Sequence, residues 1–362
     1  MNAGADTKRL LGDADLVVDN VTRRFGEVVA VGDASFSIRH GEIVAILGPS
    51  GSGKSTMLSM VGGQLRPDSG DIRIGGRSIV GLPPNRIATA TVFQDYALFP
   101  HLTVGENVAF GLRMHRWPKD KMVAQVRHML QLVGLTGYEG RRITQLSGGQ
   151  RQRVATARAL AVEPKVLLLD EPLGALDRQI RHRLQRELSQ LLRQLSMTTL
   201  LVTHDQQEAY TMADRIAVMH GGRLEQIGPP NELYELPRSE FVATFLGEGT
   251  LLDAQLVGTD GDLLLASCAG AKFTCRGKPG TGRLLRVLIR PEQLQLLRPG
   301  EAAATWRGLK VLETVPLGES TRIVVGAERL ELSVTALGRS PFGPGDVVDC
   351  RVEHGGPVVV PG

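Results

Sequence analysis

Residues 42–61 read EIVAILGPSGSGKSTMLSMV, and the change of texture within them decides the fold. EIVAIL (42–47) is a short, β-branched apolar run without alternation, the mark of a strand buried on both faces. STMLSMV (55–61) reads as a helix. Between and into them, Gly48, Pro49, Ser50, Gly51, Ser52, Gly53, Lys54 and Ser55, with Thr56 following, satisfy GxxxxGK[ST] in the strand-to-helix context that this motif requires. The glycines let backbone N–H groups curl around a phosphate, and the helix presents its positive N-terminus. Lys54 reaches the outer phosphates, and the Ser55 hydroxyl is placed to ligate Mg²⁺. A chance match in a chain of this composition is on the order of one in a hundred, so a glycine-rich surface turn is a poor competing account.

Working outward, LVVDN (16–20), VLLLD (166–170) and TTLLVTH (198–204) read as further buried strands, and their alternation with helical patterns predicts a largely parallel α/β sheet. Met122, Val126, Met129, Leu130 and Val133 form a helical stripe that interrupts the sheet pattern, which predicts an inserted helical subdomain over about 100–160. From Gly228 the texture changes. GPPNELYELPRSEFVATFLG carries a proline pair and an amphipathic helix. Beyond it LLLASCAG, RLLRVLIRPEQLQLL, RGLKVLETV, TRIVVGAERLELSV and DVVDCRVE read as strands of an all-β barrel or sandwich. The expected organisation is a tail over 1–15, an α/β domain over 16–246 and a β-rich domain over 247–362.

The bulk properties exclude several classes. With 362 residues, 42% hydrophobic and 22% charged, the chain has apolar material for two or three cores and is not disordered. A net charge of +4 is too small to point to nucleic acid or an anionic surface as the main partner. No apolar run approaches the roughly 18 residues of a membrane span. The opening MNAGADTKRLLGDADLVVDN lacks the apolar core of a secretory leader, so a cytoplasmic chain is expected. Cys268, Cys275 and Cys350 have no metal-site spacing and read as reduced thiols.

VLLLDE ends a buried strand on Asp170 and Glu171. Beside a phosphate loop, Asp170 suits the Mg²⁺ shell and Glu171 suits a base that aligns a water and accepts its proton. Taken alone, the pair also fits the preference for acids ahead of a helix.

LSGGQRQRVATARAL (146–160), lying between the phosphate loop and VLLLDE, completes an order of motifs that resembles the ATP-binding cassette (ABC) ATPases. Ser147, Gly148, Gly149 and Gln150 match their signature, a second anion cradle at a helix start, although a lone pentapeptide of this kind also reads as a helix cap. The resemblance implies further roles, residue by residue. Phe25 resembles the aromatic that stacks on adenine, against a bland core or loop ring. Gln94 resembles the glutamine that joins Mg²⁺ and water and whose loop reaches the membrane partner. Asp177 resembles the acid of the loop that crosses between subunits, or else an N-cap. His204 resembles the switch histidine that holds the γ-phosphate. Tyr96, Phe99 and Phe110 fall where coupling helices would be received, and pack equally well as core of the helical subdomain.

In that family ATP sits between the phosphate loop of one chain and the signature of another, so a single cassette implies a second copy of the chain. The single cassette followed by a β domain with RPEQL (290–294) resembles the ATPase subunits of bacterial binding-protein-dependent importers, whose tail is a transport-associated OB domain. FQDYALFPHLTVGENVAFGL and EPLGALD look closest to the spermidine/putrescine subgroup, with ferric-iron, sulfate, phosphonate and sugar importers as alternatives. The implied cofactors are ATP and Mg²⁺. The implied partners are two transmembrane permease subunits and, indirectly, a periplasmic or extracellular solute-binding protein, with no nucleic acid, at the cytoplasmic face of the inner membrane. A soluble ABC ATPase of repair, translation or iron-sulfur assembly is the remote alternative; no heptad insertion or second cassette supports it.

Overall fold

The computed structural model describes residues 14–174, 178–278, 282–328 and 330–361. The chain divides into two compact units, the first ending at Pro230 and the second beginning at Asn231.

In the first unit, β1 (Ala14–Phe25), β2 (Val28–Arg39), β4 (Ser69–Ile74) and β5 (Arg77–Ser78) form an antiparallel sheet in the order β2-β1-β4-β5. A second sheet has the order β10-β9-β3-β8-β7-β6, from β3 (Ile43–Leu47), β6 (Thr89–Val92), β7 (Val166–Asp170), β8 (Thr199–Thr203), β9 (Arg215–His220) and β10 (Arg223–Gly228). Its pairings are parallel except β9 with β10. β3 and β8 are buried at every position and β7 at all but its last, as their unbroken apolar sequences require of strands covered on both faces. LVVDN is strand, buried at Leu16, Val17 and Val18 but not at Asp19 and Asn20, and it belongs to the antiparallel sheet and not to the parallel one. The reason is its partner β2, in which Ala34, Phe36 and Ile38 are buried while Ser35 and Ser37 are not, a period of two that builds a one-sided sheet.

Helix α1 (Lys54–Val61) buries Met57, Leu58, Met60 and Val61 in a core that also takes Leu16 and Ile38 from the antiparallel sheet and Ile46, Leu168 and Val202 from the parallel one. Each such side chain contributes about 1.5–3 kcal/mol through burial, which fixes the start of α1 against the end of β3. Helices α2 (Val104–Met114), α3 (Lys119–Leu132) and α4 (Gly148–Ala161) pack on one another in the expected helical region. Val126, Met129, Leu130 and Val133 are buried there and Met122 is half-buried. Helices α5 (Arg178–Gln194) and α6 (Gln206–Met212) flank β8 in sequence.

Helix α7 (Pro230–Glu235) starts on the last residue of the first unit, and the second unit takes its remainder, α8 (Glu240–Phe245) and two five-stranded antiparallel sheets. Trp306, Val325 and Leu332 from one and Phe273, Leu285 and Val287 from the other share a single core, giving a barrel-like, OB-like all-β domain. The split falls at 230/231 and not at 246/247, and Arg290 supplies the reason. It is 3% exposed, and its guanidinium donates to the carbonyls of Tyr234, Ala243, Gly247 and Glu248 at 2.9–3.1 Å, tying both short helices to the β strands. Arg290 is therefore no ordinary surface charge. The three cysteines are free thiols, and burial pushes Cys275 up to about 11 and Cys350 up to about 12. No helix among the described residues is long and apolar enough to cross a membrane.

Candidate nucleotide site

The parallel sheet places its functional side chains together at the C-terminal ends of its central strands. β3, β8 and β7 are neighbours, and the phosphate loop, His204 and the Asp170–Glu171 pair leave their C-terminal ends, where open α/β sheets bind ligands. Gly53 precedes α1 with φ +101°; no side chain caps this helix and no acid stands in its first turn. The first N–H groups of α1 thus keep their partial positive charge for an anion. A Cβ on Gly53 would stand 2.2 Å from the Ala30 carbonyl oxygen, and one on Gly48 2.2 Å from that of Met219, so both positions exclude any larger residue.

Lys54 is 7% exposed, and its ammonium donates to the carbonyls of Gly48 and Pro49, each at 2.9 Å. Burial lowers its pKa, against the opposing pull of Glu171 and Asp170. Asp170 shows the converse: burial and then Glu171 raise its pKa, with Lys54 opposing. Two carboxyl groups and one ammonium in a half-buried setting leave a deficit of positive charge that a cation would relieve. Ser55 is exposed in the first turn of α1, next to Lys54.

Glu171 adopts a left-handed backbone, φ +44°, with its N–H bonded to the Val202 carbonyl at 2.9 Å. That conformation turns the carboxylate across to the next strand, where Oε1 lies 3.0 Å from His204 Nδ1. Gln94, exposed just beyond β6, flanks the same place. A Cβ built on Gly174 would be 3.5 Å from Gln94 Nε2 and 3.7 Å from Glu171 Oε2, so a small residue there leaves both groups room. Glu171, His204 and Gln94 thus lie close to one another at the end of the sheet from which the phosphate loop also leaves.

Phe25 ends β1 with 49% of its surface exposed and the Arg23 guanidinium 4.9 Å over its ring, which rules out the core reading. Ser147 caps α4: its Oγ accepts from the Gln150 N–H at 3.4 Å while Gln150 Oε1 accepts from the Ser147 N–H at 3.0 Å. The helix-cap reading is thus met, with Gly148 and Gly149 in the first turn of α4. Asp177 lies outside the described residues. Tyr96 is buried, whereas Phe110 is 36% exposed and packs on Phe99 at 4.4 Å between ring centres. Sequence reasoning missed Glu208, a 3%-exposed acid that accepts from the Thr203 hydroxyl one residue before His204, and Arg158, whose contacts are tertiary. No local pattern marks either.

The ABC transporter family profile matches residues 31–174. The chain is 47% identical over 315 residues to the spermidine/putrescine import ATP-binding protein PotA of Rubrobacter xylanophilus, covering 86% of this chain and 83% of that protein. It is 51% identical over 242 residues to the sulfate/thiosulfate import ATP-binding protein CysA of Mycobacterium tuberculosis, covering 67% of this chain and 69% of that one. Among solved structures it resembles a dimeric post-hydrolysis state of an ATP-binding cassette bound to ADP and Pi, with TM-score 0.52 and 32% identity over 59% of this chain and 98% of that one. A phosphate loop, a serine-capped glycine turn and a strand-end acid joined to a histidine are thus found in a sequence related along most of its length to such proteins, and the chain belongs to the ABC transporter ATPases.

Proposed function

We propose that this chain is the ATP-hydrolysing subunit of a binding-protein-dependent importer, and that its solute is a polyamine of the spermidine/putrescine class. The observation that carries this reading is the extent of the similarity to the polyamine-import relative: 315 residues at 47% identity, running through both units. Sulfate is the second reading, favoured by the relative named for sulfate/thiosulfate import in Chromobacterium violaceum, 44% identical over 341 residues.

In the proposed cycle, Phe25 stacks on adenine and residues 48–56 wrap the phosphates. Lys54 exchanges its two carbonyl partners for phosphate oxygens, a trade of neutral acceptors for anionic ones. Ser55, Gln94 and Asp170 would hold Mg²⁺, which offsets phosphate charge when bound. Among the described residues no three His, Cys, Asp or Glu side chains form a cage, and a set with one carboxylate suits an ion that keeps phosphate and water ligands. Glu171 aligns the attacking water and accepts its proton, while His204 orients that carboxylate and reaches the γ-phosphate. Ser147, Gly148, Gly149 and Gln150 of a second copy close the site from the other side. ATP then holds two copies together, and loss of the γ-phosphate releases them.

Two permease subunits would receive this motion through residues 96–108, with the chain peripheral at the cytoplasmic face of the inner membrane. The β domain over 247–362 would serve as the transport-associated OB domain. The test is reconstitution with the permease pair in vesicles. Spermidine-loaded binding protein should raise ATP hydrolysis, and stimulation by the sulfate-loaded protein alone would transfer the assignment to sulfate.

A further inference from the structure

The loop that follows β6 is bent by two successive non-glycine residues in the left-handed region, Tyr96 at φ +64° and Ala97 at φ +43°. Such backbone persists only where its surroundings over-determine it. Here the constraint comes from α4. Arg158 Nη2 donates to the Tyr96 carbonyl at 2.9 Å and Nη1 to the Ala97 carbonyl at 2.7 Å, so one guanidinium holds both strained residues. The same group lies 5.7 Å over the Phe99 ring. Asp95 Oδ1 accepts from the Ala97 N–H at 3.1 Å, and Asn107 of α2 brackets Phe99, accepting from its N–H at 2.8 Å and donating to its carbonyl at 3.1 Å. Among the described residues the buried Tyr96 hydroxyl has no hydrogen-bond partner, so its own side chain does not hold the turn through them.

We propose that Arg158 is a positioning residue which couples the Ser147 cradle to the Gln94 loop. α4 is one continuous helix with Ser147 at its N-cap and Arg158 in its last turn. A displacement of the cradle on meeting nucleotide is carried along the helix to Arg158, and from there to two carbonyls just beyond Gln94. The planar fork suits the task because its two donors keep a fixed spacing in one plane, whereas the three donors of an ammonium rotate about a single nitrogen. The inference rests on the nucleotide assignment of the site and is independent of the solute.

The test is hydrogen exchange on the full-length chain, with and without Mg²⁺ and a non-hydrolysable ATP analogue, alongside ATPase kinetics. In the wild type, exchange over residues 94–100 slows at least about fivefold on adding the analogue. Arg158→Met keeps an apolar stem and removes both donors. It should reduce that response to under about twofold while analogue affinity stays within threefold, and kcat should fall about tenfold with KM little changed. Arg158→Lys, which keeps the charge but not the rigid two-nitrogen fork, should fall between. A wild-type-sized response in Arg158→Met overturns the proposal, and so does a loop indifferent to nucleotide in the wild type. Loss of affinity together with a large drop in Tm also overturns it, since Arg158 would then be a folding contact alone. Failure of the wild-type chain to bind the analogue at all would instead remove the nucleotide site, which separates the two failures.

Discussion

His204 Nδ1 stands 3.0 Å from Glu171 Oε1, joining the ends of two neighbouring parallel strands through a carboxylate that a left-handed backbone turns toward the ring. The pairing leaves Glu171 Oε2 on the side of Gly174, where a built Cβ would meet it at 3.7 Å and Gln94 Nε2 at 3.5 Å. Glu171→Gln keeps the shape and removes the base. It should retain ATP, lower kcat by at least about 10²-fold and trap a dimer. Phosphate release and gel filtration with ATP read both effects; turnover at the wild-type rate would remove Glu171 as the base.

Gly53 tests the phosphate loop without touching a charge. Its φ is +101°, and an added methyl would meet the Ala30 carbonyl oxygen at 2.2 Å, with backbone on both sides of the contact. Gly53→Ala must therefore shift the loop or the β2 strand, and the N–H groups that cradle phosphate lose their convergence. ATP affinity should weaken at least about tenfold, measured by titration calorimetry, while Gly51→Ala, with open space around its Cβ position, disturbs packing less. Equal affinities for Gly53→Ala and the wild type would show that the loop is not the anion site.

Much of this was legible in one dimension because the signals are local. GPSGSGKS needs only its own backbone and the helix behind it, and β3, β7 and β8 announce double-sided burial by unbroken apolar runs. The catalytic candidates could be named, but the Glu171–His204 contact depends on β7 and β8 being neighbours, which no spacing between them encodes. The misplacement of LVVDN has the same origin: five residues do not reveal which sheet they join, although the alternation in VVAVGDASFSIR was there to read. Arg158 was invisible because its role consists of two carbonyls some sixty positions away in sequence.

Glu208 yields a prediction in pH. Burial raises its pKa from the ordinary carboxylate value of 4.5 to about 7, against the Thr203 hydrogen bond. The folded state then binds a proton that the unfolded chain releases, so this group's contribution favours folding at low pH. That contribution is lost progressively as pH rises from about 4.5 to about 7, by up to roughly 1.4 kcal/mol per pH unit. Glu208→Gln, which cannot ionise, should flatten this part of the stability profile and raise stability at pH 8. Urea unfolding of both proteins at pH 5, 6, 7 and 8 makes the comparison, and parallel profiles would mean that Glu208 titrates as an ordinary acid.

Arg290 gives the sharpest test of the second unit, because its function is wholly one of satisfaction. The carbonyls of Ala243, Gly247 and Glu248 end or follow α8, where no further turn supplies donors, and one guanidinium nitrogen serves all three. The other nitrogen takes the Tyr234 carbonyl, and the group lies 4.0 Å over the Tyr234 ring. Arg290→Met would fill much of the volume but orphan buried acceptors, each costing about 1–3 kcal/mol, so the second unit should lose roughly 3 kcal/mol or more. Arg290→Lys restores one donor direction and should recover part of the loss. Scanning calorimetry should show the transition of the β domain moving down by several degrees while ATP affinity of the first unit stays within twofold. An unmoved transition would mean that water, and not Arg290, satisfies the end of α8.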